Sequence, residues 1–356
     1  MPSKESSAQD LRITVKPSEV TFLAHRGETI LAAALRAEVL LPHSCQDGAC
    51  GSCKCLRLAG EVVQGTHQSK ALSLHEQQQG MVLTCCAFAH SDVVLESPQV
   101  GSGGPMRVRK LPARVRTMQR KSQDVMLLSL QLPANDGLIY RPGQYVEVKL
   151  ANGSQRSYSM ANAPGVGACV LEFHVRHRPG GRFTDALFGT MKEGDIVRIE
   201  GPYGSFFLRE DSDRPIIFLA SGTGLAPIKA IIEHMHSRGM KRPAVLYWGG
   251  YRPHDLYLEP WINEQLAAMP QLRYVPVVSD ALAQDAWQGR TGFVHLAVLE
   301  DFADLSRHQV YACGAPVMVE AARGAFLQAG LPSEQFFADA FTTEADQANT
   351  SKASET

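Results

Sequence analysis

His43-Ser44-Cys45-Gln46-Asp47-Gly48-Ala49-Cys50-Gly51-Ser52-Cys53 is the stretch that decides the fold, and Leu83-Thr84-Cys85 answers it downstream. Four residues separate Cys45 from Cys50, two separate Cys50 from Cys53, and the last thiol comes from a different element, which is the spacing of a two-iron, two-sulfur centre. Thiolates at such intervals reach two irons only if the loop wraps tightly, and Gly48 and Gly51 supply the φ freedom that the wrap demands. A zinc knuckle is the competing reading. Zinc sites pair two Cys-x2-Cys knuckles or add histidines at defined spacing, whereas this chain has one knuckle with a longer arm in front. Cys55 and Cys86 adjoin these ligand candidates, and strand alternation turns Cys55 to the same side as Cys53.

At 356 residues the chain should hold two or three domains, and 44% hydrophobic side chains suffice to bury a core in each. A net charge of −1 gives no basic surplus for nucleic acid. No apolar run approaches the roughly 18 residues of a membrane span, and Met1-Pro2-Ser3-Lys4-Glu5 lacks a signal-peptide core, so a cytoplasmic protein with no membrane partner is expected. Six of the eight cysteines fall between Cys45 and Cys86, a crowding that suits a metal centre in a reducing compartment better than a disulfide framework. Cys169 and Cys313 stand alone.

Around the cysteine loop, Leu11 to Val15 and Val20 to Leu23 read as strands joined by a turn, and Thr29 to Ala37 as an alanine-rich helix. Cys53 to Leu58 and Met81 to Thr84 read as strands flanking a polar helix near Ser73 to Gln79, and Val93 to Leu95 closes this module. Residues 98–106, rich in glycine, serine and proline, read as a tether. Arg107 to Lys121 then carries seven basic side chains and no acid, with Arg107 and Arg109, then Arg114 and Arg116, spaced to share a strand face. A solvated face is the commoner explanation; a docking surface for the first module or an acidic partner is the functional one, although residues 1–96 hold only ten acids against eight bases.

From Val125 to Leu208 short alternating segments broken by Pro-Gly turns suggest an antiparallel barrel. On one of them Arg156-Ser157-Tyr158-Ser159 offers a guanidinium for phosphate, an aromatic face and a hydroxyl, as an isoalloxazine with a phosphorylated tail needs. His174-Val175-Arg176 and Gly180-Gly181-Arg182-Phe183-Thr184 support this, the glycine pair preceding a short helix whose free N–H groups suit a pyrophosphate. His174 and His177 themselves read as structural. Beyond Arg214 the pattern changes. Ile216 to Ala220 is a continuous apolar run, as in a strand buried on both faces, and leads into Ser221-Gly222-Thr223-Gly224-Leu225-Ala226-Pro227 and a helix to His236. Ala244 to Trp248, Leu272 to Val278 and Val310 to Cys313 are further buried strands, so a parallel sheet is expected, with Cys313-Gly314 at a carboxyl end where ligands bind.

The motifs in this order resemble the ferredoxin-fused ferredoxin-NAD(P) reductase superfamily, which includes reductase components of phenol hydroxylase and of benzoate and terephthalate dioxygenases, and CDP-6-deoxy-3,4-glucoseen reductases. The resemblance covers about residues 10–342 and includes Phe337-Ala338-Asp339-Ala340-Phe341. It implies an N-terminal β-grasp 2Fe-2S ferredoxin domain (1–97), the linker (98–106), an antiparallel six-stranded FAD-binding β-barrel (107–210), a C-terminal α/β parallel-sheet NAD-binding domain (211–343) and a disordered tail (344–356). Cys85, following its Leu-Thr pair as in plant-type ferredoxins, would complete the set Cys45, Cys50 and Cys53. Arg156 would hold the flavin phosphates, Tyr158 would pack on the ring, and Ser159 would hydrogen-bond near N5. Gly181, Phe183 and Thr184 would line the pyrophosphate, with Arg182 beside them. The Gly222 to Gly224 loop and Pro227 would face the nicotinamide dinucleotide, Cys313 and Gly314 would lie near the nicotinamide, and Phe341 would cover the flavin. The N-terminal position of the ferredoxin favours FAD over FMN. Asp280, next after the Tyr274 to Ser279 strand, would repel a 2′-phosphate and so favours NADH, with Arg290 as a possible compensating cation.

Electron counting sets the expected order of carriers. NADH gives up two electrons as a hydride and an iron–sulfur centre accepts one, so a flavin belongs between them. The destination is a partner protein. The leading expectation is an oxygenase's reductase component serving a Rieske aromatic-acid dioxygenase, since Arg156 to Asn162 and His174 to Phe183 look most like the terephthalate type; a deoxysugar dehydratase reductase, which Asp280 to Val294 resembles, comes second. A diiron phenol hydroxylase is a further acceptor. A redox-sensing binding protein would carry the same cofactors without sustained turnover.

Overall fold

In a computed structural model, residues 10–97, 100, 107–134, 137–150, 152–165 and 169–342 are described. Two compact units emerge, one drawn mainly from residues 1–105 and one spanning 106–341. The expected tail after 343 lies outside the described residues, as does the tether at 98–106 apart from Val100.

The first unit contains β1 (Leu11–Lys16), β2 (Val20–Ala24), α1 (Ile30–Arg36), β3 (Lys54–Ala59), β4 (Val62–Gln64), α2 (Leu74–Gln78), β5 (Met81–Leu83), β6 (Ala87–Ala89) and β7 (Val93–Glu96). Its main sheet runs β2-β1-β7-β3-β5, with β1 and β7 parallel and the other pairs antiparallel. This is the β-grasp that the sequence predicts. Alternation decides the faces: Ile13, Val15, Phe22 and Ala24 point inward, where Ile30, Leu31, Ala33 and Ala34 of α1 cover them. Thr29 starts α1 by accepting the Ala32 N–H on its hydroxyl at 3.2 Å. The small β4–β6 ladder was not foreseen.

In the second unit β8 (Arg109–Arg120), β9 (Val125–Gln131), β10 (Tyr145–Lys149), β11 (Gln155–Ser159), β12 (Val170–Arg176) and β13 (Ile196–Tyr203) form an antiparallel sheet ordered β11-β10-β13-β8-β9-β12, with α3 (Arg182–Gly189) before the last strand. A bridge between Met160 and Phe173 joins the two outer strands and closes the barrel. On β8, Arg114 and Arg116 share the exposed face with Lys110, as the spacing requires. Arg109 instead falls on the opposite parity, half-buried, and donates to the Gly137 carbonyl at 3.3 Å.

The same unit continues through β14 (Ile216–Ser221), α4 (Leu225–Ser237), β15 (Ala244–Gly250), α5 (Glu259–Ala268), β16 (Leu272–Val278), β17 (Arg290–Thr291), α6 (Val294–Asp301), β18 (Gln309–Gly314), α7 (Pro316–Gln328) and β19 (Phe336–Ala340). All six strands are parallel, ordered β17-β16-β15-β14-β18-β19. The order reverses between β14 and β18. A crevice opens at such a switch point outside the carboxyl ends of the strands, which is where ligands bind in open α/β sheets. Val125, Leu127, Phe206 and Leu208 of the barrel side share one core with Ile216, Phe218 and Trp248 of the sheet. Among the described residues no helix is long and apolar enough to cross a membrane.

Candidate functional site

The cysteine loop wraps through three left-handed residues, Gln46 at φ 62°, Gly48 at 78° and Gly51 at 74°. The glycines were legible; Gln46 adopts the same conformation without being one, a strain that persists only where the surroundings impose it. The loop turns its N–H groups onto sulfur: Cys50 N–H donates to Cys45 Sγ at 3.3 Å and Ser52 N–H to Cys50 Sγ at 3.4 Å. Cys53 and Cys85 bring their sulfurs within 3.2 Å, held by the Thr84 N–H and hydroxyl, which both donate to the Cys53 carbonyl at 3.2 Å. The thiols thus gather as two pairs, Cys45 with Cys50 and Cys53 with Cys85, and among the described residues no three His, Cys, Asp or Glu side chains converge on one ion-sized point. Hydrogen bonding from Cys45 holds the Cys50 thiol down at about 7. Cys55 is buried away in the sheet core, where desolvation pushes it up to about 12. Cys86 lies 3.5 Å from Cys85.

On β11, Arg156 and Tyr158 share one face and Ser159 the other. Tyr158 is half-buried and packs against Phe183 with ring centroids 5.1 Å apart, while Ser157 is exposed. Gly181 caps α3, whose first residues are Arg182, Phe183 and Thr184; the Thr184 hydroxyl closes its own loop by donating to the Arg178 and Gly181 carbonyls at 2.9 and 3.1 Å. Ser159 is buried, and its hydroxyl donates to Asp339 on β19 at 3.2 Å. Barrel and parallel sheet therefore meet at Ser159.

At the switch point the ends of β14 and β18 nearly touch. A Cβ on Gly224 would sit 2.2 Å from the Cys313 carbonyl oxygen, and one on Gly314, at φ +135°, would sit 2.2 Å from Ser221 Oγ. The Ser221 hydroxyl accepts the Ala315 N–H at 3.0 Å, and Phe341 N–H donates to the Gly314 carbonyl at 2.8 Å. Thr223 lies in the single turn before α4, and Pro227 is buried in that helix's first turn. Cys313 is fully buried; desolvation, then the Asp339 carboxylate, pushes its thiol well above the ordinary range, so it stays protonated.

β12 carries the His174-Val175-Arg176 triplet. Val175 faces the barrel core, but Arg176 lies against the dinucleotide loop, its guanidinium 3.4 Å from where a Gly222 Cβ would be, and pairs with Asp124 at 3.3 Å and Asp255 at 3.4 Å. His174 is buried with Nδ1 2.8 Å from the Tyr257 hydroxyl, and burial lowers its pKa. His177 pairs with Asp185 at 2.9 Å and stacks on Phe188. Asp280 follows β16 at the carboxyl edge of the sheet, 3.0 Å from an Arg252 Nη2; Arg290 is occupied by Asp301. Ser221 and Asp339 stand inside motifs that the sequence singles out but carry no assigned role there, and Arg252 is not singled out; all three lie at or just beyond the ends of parallel strands.

The family models that match are a 2Fe-2S iron-sulfur cluster binding domain over residues 13–90, an oxidoreductase FAD-binding domain over 112–208 and an oxidoreductase NAD-binding domain over 218–324. The CDP-6-deoxy-L-threo-D-glycero-4-hexulose-3-dehydrase reductase of Yersinia pseudotuberculosis is 40% identical over 93% of this chain and 98% of its own. The chain belongs to the ferredoxin-fused ferredoxin-NAD(P) reductase superfamily. Reductase component 1 of terephthalate 1,2-dioxygenase from Comamonas sp is 35% identical over 93% of this chain and 97% of its own. Among solved structures, the cytochrome P450 reductase GcoB of Amycolatopsis aligns with a TM-score of 0.76 and 34% identity over 94% of this chain and 99% of its own. This superfamily member is an iron–sulfur flavoprotein oxidoreductase with 2Fe-2S, FAD and NAD as its cofactors, arranged for electron transfer.

Proposed function

We propose that this reductase oxidises NADH and delivers electrons one at a time to a separate protein. The meeting of Ser159, Asp339 and the β14–β18 crevice carries the reading, because it joins a flavin-type barrel strand to a nucleotide-type loop. Bound FAD would supply the conversion of NADH's paired electrons into single ones that an iron–sulfur centre can accept. Cys45 and Cys50 are assigned to one iron and Cys53 and Cys85 to the other; the two sulfur pairs support this, since a 2Fe-2S centre shares four ligands between two irons. Arg156, Ser157, Tyr158, Gly181, Arg182, Phe183 and Thr184 are assigned to FAD, with Ser159 and Phe341 at the reacting edge. Gly222, Thr223, Gly224, Pro227, Cys313 and Gly314 are assigned to NADH.

Arg176 is moved from FAD to the dinucleotide because of its packing against Gly222. His174 and Val175, turned to a buried network and to the barrel core, serve as support. Asp280 favours NADH over NADPH by repelling a 2′-phosphate and by occupying the nearby Arg252 guanidinium. No side chain need act as a nucleophile. Ser159 keeps a hydroxyl oriented by Asp339, and neutral Cys313, buried at the end of β18, adds no charge there.

For the acceptor, 40% identity to the hexulose-dehydrase reductase favours a deoxysugar dehydrase. The 35% identity to the terephthalate reductase component supports the second reading, an aromatic-acid dioxygenase. Purified acceptors of both kinds, each with its own substrate, test the choice: NADH consumption coupled to product should appear with the dehydrase. Coupling only with the dioxygenase would reverse the order. Cys50→Ser should abolish this coupling and cytochrome c reduction while sparing NADH-to-ferricyanide turnover; equal loss of both would sink the carrier order.

A further inference from the structure

A lysine on the buried side of a helix needs a reason, and Lys229 of α4 is 5% exposed. Its Nζ lies 2.6 Å from Glu233 Oε1 one turn further along α4 and 3.0 Å from Glu172 Oε1 on β12. It also donates to the Ala161 carbonyl at 3.1 Å and sits 5.3 Å over the Trp261 ring. Glu233 uses its other oxygen to accept the Ala163 N–H at 3.0 Å. Two side chains of α4 therefore grip the main chain just beyond Ser159. Glu172 is in turn 3.3 Å from His174 Nε2, whose other nitrogen meets Tyr257.

Stability alone does not account for such a cluster. Burying a cation with two carboxylates carries a large desolvation penalty, and an apolar replacement of similar volume is often neutral or better. What the cluster does secure is register. α4 begins at the Gly222–Gly224 loop, and the gripped segment, Ala161 to Ala163, starts two residues after Ser159, so the contacts fix the loop and the end of β11 relative to one another.

We infer that Lys229, with Glu172 and Glu233, is a positioning residue for hydride transfer, holding the nucleotide loop at a set distance from the flavin-facing strand. This rests on the reading of Ser159 as flavin-facing and of the glycine loop as nucleotide-facing. A misplacement of about 1 Å costs on the order of a hundredfold in rate, so a rigid strut between the two sites has a measurable effect even though it touches neither ring.

Lys229→Met keeps the aliphatic stem and removes the charge. In the holoprotein the expected result is full FAD content, a KM for NADH little changed, and a limiting rate of flavin bleaching by NADH lowered roughly 10- to 100-fold. The long-wavelength charge-transfer absorbance on anaerobic mixing with NADH should weaken in parallel. A merely structural lysine would lower the thermal midpoint and leave both readings at their native values, and that result overturns the proposal. Should Lys229→Met lose its FAD, Glu233→Gln, which keeps an acceptor for the Ala163 N–H, decides by the same two readings. If the native protein showed neither bleaching nor the charge-transfer band, the assignment of the cofactor sites would fall and take the strut with it; a normal native signal with an unchanged variant refutes the strut alone.

Discussion

Gly224 and Gly314 leave no room for a side chain where β14 and β18 end, and the consequence is sharp. Gly224→Ala drives a methyl to within 2.2 Å of the Cys313 carbonyl, backbone that cannot swing aside. The expected outcome is a loss of about 2 kcal/mol in urea unfolding, together with loss of NADH-dependent flavin reduction while FAD stays bound. Gly324→Ala is the control: its site on α7 has nothing within 4 Å, and alanine there should stabilise by about 0.5–1 kcal/mol. Equal behaviour of the two variants would contradict the crowding at the switch point. The glycine loop was legible from sequence because strand, glycines and helix follow one another locally. Asp339 was not assigned, although its motif was noticed, because its meaning lies in Ser159, which is far away in the chain. Lys229 left a faint signal, a Lys-x3-Glu pair inside an otherwise apolar helix face, which reads equally well as a surface ion pair until the helix is seen to be covered.

Between elements, the joint of β12 with α4 should make the second unit sensitive to acid. Burial pushes the Glu172 carboxyl up, but the hydrogen bond with His174 and the charge of Lys229 outweigh it and hold the group at about 2, against an ordinary 4.5. The unfolded chain therefore takes up this proton first as pH falls, so the stabilisation is complete above 4.5 and is lost between there and about 2. His174 acts in the same direction: burial holds it below its ordinary 6.5, so the unfolded imidazole protonates first and stability drops as pH falls below that value. Glu172→Gln should be less stable than the native protein at pH 7 in urea titrations, with the difference narrowing as pH falls through 4.5. A difference constant down to pH 3 would show that this carboxylate is not held low. Long strands such as β9 and β16 were legible because five or more residues establish a period. β4, β6 and β17 are only two or three residues long and went unread, whereas β5, equally short, was placed by the Cys85 that follows it, and β19 escaped as a strand because Asp339 interrupts its apolar run.

For the whole molecule, the division of labour follows from counting electrons. Residues 106–341 form one compact unit with a shared core across barrel and parallel sheet, and hold every residue assigned to FAD and NADH. The thiols assigned to the cluster all lie in the other unit, with its own sheet, helix and core. A two-electron step thus needs only the second unit, whereas one-electron delivery to a protein needs both. A fragment comprising 106–341 is expected to bind FAD, bleach with NADH and turn over ferricyanide near the native rate, yet fail to reduce cytochrome c. Adding back the separate 1–105 unit should restore part of that activity in a concentration-dependent way, since an encounter between free units replaces a tethered one. If the fragment alone reduced cytochrome c at the full rate, the cluster would lie off the electron path and the thiol pairs of the N-terminal loop would need another explanation.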